Sequence, residues 1–81
     1  MNVHASYIGV HERSLRELMD EGFDLPAQGA VLTYRDRKRD RRVTLLLPSR
    51  AVAEARAAEA LRARRARREE VEIRSIEEAV A

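Results

Sequence analysis

The chain has no cysteine, so disulfides and thiolate metal sites are excluded and the redox compartment cannot be read from it. Aromatic residues are scarce: Tyr7, Phe23 and Tyr34 are the whole set. Runs of apolar residues reach only three, as at Leu45 to Leu47, far below what a bilayer-spanning helix requires. Residues 1–10 carry neither a charged n-region nor the apolar stretch of a signal peptide, and the expected location is cytoplasmic. Catalytic patterns are missing as well. There is no Ser-His-Asp set, glycine-rich phosphate loop, carboxylate pair or H-E-x-x-H spacing, so the expectation is not an enzyme, with no cofactor. His4 and His11 have no third ligand in view, and no metal site is expected.

What the chain does have is arginine, fifteen against a single lysine. The total charge of +2 hides an uneven distribution. "RDRKRDRR", residues 35–42, carries +4 between two apolar runs; "LRARRARR", residues 61–68, carries +5; "EEVEIRSIEEAVA", residues 69–81, carries −4. Basic runs attract phosphate backbones through counterion release, and an acidic tail suits a basic partner or an autoinhibitory contact. Asp36 and Asp40 would dilute the first basic run.

Eighty-one residues make at most one thin core, with the large aliphatics concentrated before residue 48. Val3, Ala5 and Tyr7 alternate weakly, suggesting a strand over about 3–8. Ser14 and Glu17 have capping-box spacing, Leu15, Leu18 and Met19 form a helical stripe, and Gly22 suits a C-terminal cap, giving a helix from 11 or 14 to 21. Residues 30–35 and 41–47 read as an antiparallel hairpin, with Ala30, Leu32 and Tyr34 on one face of the first strand and Val43, Leu45 and Leu47 on one face of the second. Val31 and Leu46 make the other face apolar too, so the sheet needs two covers, one expected from a second copy of the chain.

Pro48 ends the hairpin and Ser49 can cap a helix starting at Arg50. Ala51, Ala55 and Ala58, with Val52, make a weak stripe that Arg62 interrupts, and the arginines from 62 to 68 leave no apolar face. The expected fold class is therefore α+β: short strand, helix, antiparallel hairpin, then a long C-terminal helix and tail, dimeric. Residues 1–50 would be a dimerisation and DNA-binding domain and residues 51–81 a helical, charged partner-binding tail. Val71, Ile73, Ile76 and Val80 would be its apolar anchors, with Arg65 and Arg68 beside them. Residues 71–76 read equally as a fourth strand, completing the strand-helix-strand-strand-helix-strand order of a ferredoxin-like interaction module, structural or phage-type.

"HERSLRELMDE", followed by "GAVLTYR" and "RRVTLLLPSRAV", resembles the prevent-host-death (Phd/YefM) antitoxin family over about residues 2–55. The first stretch is similar to that family's leucine-rich first helix, the others to its central strands and the proline-led entry to the next helix. The resemblance implies a homodimeric autorepressor that binds operator DNA through its N-terminal half and neutralises a cognate toxin protein through its C-terminal tail. It places Arg13 and Arg16 at the DNA; Arg37, Lys38 and Arg39 of the hairpin tip join them from the charge pattern.

Overall fold

Hairpin strands β2 (Ala30–Asp36) and β3 (Arg41–Leu47) pair antiparallel in the register Ala30 with Leu47, Leu32 with Leu45 and Tyr34 with Val43. That register follows from period-two alternation: a slip of one residue would turn every apolar side chain to the wrong face. The computed structural model describes residues 9–11, 15–22 and 28–80. Within them β1 (Gly9–His11) pairs with β3, and β4 (Glu72–Ser75) pairs with β2, both antiparallel, so the order across the sheet is β1-β3-β2-β4. The strand expected over residues 3–8 and the capping residue Ser14 lie outside the described residues.

The turn from Arg37 to Asp40 depends on two aspartates. Asp36 Oδ1 accepts from the backbone N–H of Lys38 (2.9 Å) and of Arg39 (3.3 Å), a side-chain substitute for a turn hydrogen bond. Asp40 has φ 53°, a left-handed conformation that Asp tolerates better than most residues, and its carboxylate accepts from Arg35 Nη2 at 2.8 Å. Both acids therefore act on the hairpin itself. Asp36 is turned inward, whereas Asp40, its side chain 85% exposed, neutralises Arg35 on the outer surface as expected.

Helix α2 (Arg50–Arg62) starts on Ser49, whose Oγ accepts from the N–H of Val52 at 3.2 Å. It buries Ala53, Ala57 and Ala60, the i, i+4, i+7 line, and Ala53 and Ala57 pack with Ala30, Leu32, Val43, Leu45 and Leu47. The stripe through Ala51 and Ala55 points to solvent, and Val52 is 37% exposed. Alanines at 51, 53, 55, 57, 58 and 60 offer small faces in several directions, and periodicity alone cannot choose among them. Alanine also allows close approach: Ala53 is fully buried.

Among the described residues there is no long C-terminal helix, which corrects the expected fold class. Arg64 takes φ 58°, its N–H reaches the carbonyl of Leu61 (3.1 Å), and the N–H of Arg65 reaches that of Ala60 (2.9 Å). These two bonds are the Schellman pattern that stops a helix, here with arginine where glycine is the usual choice. The chain then passes a 3-10 turn (Arg68–Glu70) into β4, and a short helix α3 (Ile76–Val80) follows. Ser75 and Glu78 cap α3 reciprocally: Ser75 Oγ accepts from Glu78 N–H (3.0 Å), and the Glu78 carboxylate accepts from Ser75 N–H (3.2 Å).

Strand order explains how both faces of the sheet are covered. The crossover β1 to β2, through helix α1 (Leu15–Asp20), and the crossover β3 to β4, through α2, step the same way across the sheet from strands of opposite direction. Right-handed crossovers then place α1 and α2 on opposite faces. Accordingly Met19 of α1 and Ala79 of α3 pack on Val31, Leu46 and Ile76, while α2 lies on the other side. The second cover expected from another subunit is supplied by the chain itself. A ferredoxin-like sheet sets its last strand beside its first; here β1 and β4 are opposite edges.

Candidate nucleic-acid interface

The two arginine runs, distant in sequence, meet in space. Arg65 Nη2 lies 3.1 Å from Asp36 Oδ2, and the backbone N–H of Arg37 donates to the carbonyl of Arg65 at 2.7 Å. Arg37 also faces Glu70 at 3.9 Å. The hairpin turn is thereby fastened to the loop after α2. Runs of +4 and +5 form one end of the molecule, which leaves −7 for the rest of a chain whose total is +2.

The electrostatics of the junction centre on Asp36. Burial pushes its carboxyl up, but the N–H groups of Arg39 and Lys38 and the guanidinium of Arg65 outweigh burial and hold it below its ordinary value. Its charge is satisfied inward. Lys38, Arg39, Arg62, Arg64, Arg67 and Arg68 are exposed and make no ion pair among the described residues. Next to them, between the hairpin and the C-terminal half of α2, lies a cleft of about 430 Å³. Tyr34 lines it above the buried Leu32, Val43 and Leu45, together with Arg39, Arg41, Arg56 and Arg65 and the acids Asp36 and Glu59. Burial, and then the charge of Asp36, raise the Tyr34 phenol above its ordinary value against the opposing pull of Arg65 and Arg56.

Of the residues singled out from sequence, Arg37, Lys38 and Arg39 sit on this basic end and Arg65 joins them there, while Arg68 lines a separate groove with Leu61, Val71 and Ile73. Arg16 is exposed on α1, across the sheet from α2, and Arg13 lies outside the described residues. The apolar anchors are used at home: Val71 and Ile73 pack on the core under α2, and Ile76, 2% exposed, belongs to the core of the other face. The side chain of Val80, the last residue of α3, lies outside the description. Sequence reasoning missed Asp36 as the organiser of the junction, and Arg56 and Tyr34 as parts of the cleft. The first has no local signal, because its partner is 29 positions away. Among the described residues no helix is long and apolar enough to cross a membrane.

Comparison with protein-family models, with curated proteins and with solved structures found no match to this chain.

Proposed function

We propose that the domain binds nucleic acid through the phosphate backbone, as the DNA-binding element of an autorepressor of the antitoxin kind. One observation carries the reading: the Asp36–Arg65 ion pair joins the two basic runs, and among the described residues Lys38, Arg39, Arg62, Arg64, Arg67 and Arg68 are exposed without an ion pair. Arginine suits that role, since its fork matches two phosphate oxygens and keeps its charge. The acidic remainder of the chain would orient the basic end toward a polyanion.

In this reading toxin capture falls to β4 and α3. Because Val71, Ile73 and Ile76 are engaged within the domain, capture requires those elements to leave β2 and α2. Two copies on an operator would meet along a sheet edge, since both faces are covered.

The test is duplex DNA binding by fluorescence anisotropy across a salt series. With about five phosphates contacted, the logarithm of affinity should fall against the logarithm of salt with a slope near −4 to −5. Replacing Lys38 and Arg39 by alanine together should flatten that slope by about 2. No salt-sensitive binding at low ionic strength would overturn the proposal.

A further inference from the structure

Backbone binding uses the outward cations and leaves the cleft beside them unexplained. That cleft combines two chemistries that seldom share a wall. The partly buried ring of Tyr34 is its accessible apolar wall, with Leu32 and Val43 buried behind it, while Arg39, Arg56 and Arg65 line the same space together with the acids Asp36 and Glu59. A track for phosphates has no need of an accessible aromatic ring, and a pocket for an apolar ligand has no need of several arginines in its lining. Its volume, about 430 Å³, is within the range of small-ligand sites and far more than a lone phosphate fills. Donors are available as well. Arg39 and Arg56 make no ion pair among the described residues, and Arg65 commits one nitrogen to Asp36 while its buried Nε has no partner.

We propose that this cleft binds a nucleoside 5′-phosphate, its base against the ring of Tyr34 and its phosphate among the guanidinium groups of Arg39, Arg56 and Arg65. The inference deepens the nucleic-acid reading and rests on it for the class of ligand. Bases stack on aromatic side chains without regard to sequence, so the Tyr34 ring asks for a flat ring and not for a particular base. A base paired within a duplex cannot reach such a lining. The occupant is therefore a free mononucleotide or an unstacked nucleotide of a single strand, and both present the same chemistry. Since Arg39 belongs to the outward surface and to the cleft, an occupant held there draws on a cation that duplex DNA also uses.

The experiment titrates the full chain with thymidine 5′-monophosphate, with inorganic phosphate and with a short single-stranded oligothymidylate, following amide and Tyr34 ring resonances by NMR. Arg56→Gln is the matched variant, because Arg56 is exposed on α2 and is not among the residues proposed to hold duplex DNA. The expected result is binding of the mononucleotide at least about tenfold tighter than phosphate, with Tyr34 shifting, and a loss of about tenfold in Arg56→Gln while duplex binding is unchanged. Binding of the oligothymidylate alone assigns the site to a nucleotide within a strand; binding of both includes the free nucleotide. Phosphate binding as tightly as the mononucleotide, or no response in any titration, overturns the inference. Salt-sensitive duplex binding would in that event still stand, and loss of duplex binding with nucleotide binding intact would instead remove the backbone reading alone.

Discussion

Arg65 and Asp36 form the contact that closes the fold at its basic end: 29 positions apart, Nη2 to Oδ2 3.1 Å, with the carboxylate side chain 5% exposed. Asp36 also organises the hairpin turn through two backbone N–H groups. Asp36→Ala removes all three bonds and is expected to destabilise by about 2 kcal/mol, and Asp36→Asn, which keeps an acceptor for the turn, by about 1 kcal/mol. Urea midpoints of the three proteins measure this. Because the substitutions also remove a negative charge from the basic end, duplex binding at a salt concentration where all are folded should not weaken.

The same carboxylate sets an acid limb. Its folded value lies below its ordinary one, so the stability it contributes is complete above the usual aspartate range and is lost as pH falls through the depressed folded value. Glu78 acts in the same direction, its carboxyl lowered first by the Ser75 hydroxyl and then by the Ser75 N–H. Stability should therefore fall below about pH 4. In Asp36→Asn that decline should be shallower, measured by thermal unfolding between neutral pH and pH 2.

Arg64 stands in the left-handed conformation at the end of α2, where glycine is at ease. Relief of that strain, about 1–2 kcal/mol, exceeds the added entropy of a glycine in the unfolded chain, so Arg64→Gly should stabilise by about 0.5–1 kcal/mol. It should also weaken duplex binding and reduce the salt slope by about 1. A variant that is more stable and binds less well would mark the arginine as kept for charge at the expense of the cap.

Ile76 is buried against Val31 and Leu46 at the start of α3, and its N–H donates to the carbonyl of Gly29 at 3.0 Å. Ile76→Ala should cost about 2–5 kcal/mol if β4 and α3 unfold with the rest of the domain. A much smaller global loss, with hydrogen exchange accelerated only over residues 71–80, would identify the C-terminal elements as a separately opening unit. That second outcome is what toxin capture by these elements requires.

Thr44, at the centre of β3, is fully buried with a hydroxyl that has no hydrogen-bond partner among the described residues. Valine keeps its branched shape and removes the stranded polar atom, so Thr44→Val should raise the unfolding free energy by about 1 kcal/mol, read as a higher urea midpoint with an unchanged slope.

Local physics was legible in the amino-acid order. The hairpin strands and the faces of Leu32, Tyr34, Val43 and Leu45 followed from alternation; the Ser49 cap and Gly22, at φ 85° after α1, followed from residues whose side chain or lack of one has a single local use. The Ser75–Glu78 box was equally local, written in "SIEE", yet the apolar spacing around it read as well for a tail as for a strand and helix. Which alanine line α2 buries, that β4 pairs with β2, and that Arg65 meets Asp36 were decided only by the tertiary structure. Each is a choice among near-equal local options, and the choice is made by contacts between residues far apart in the chain. The sequence by itself determined that two strongly basic runs exist; the sheet order and the helix stop at Arg64 determined that they meet, because only chain reversal brings Arg65 back to Asp36 and Arg37 of the hairpin.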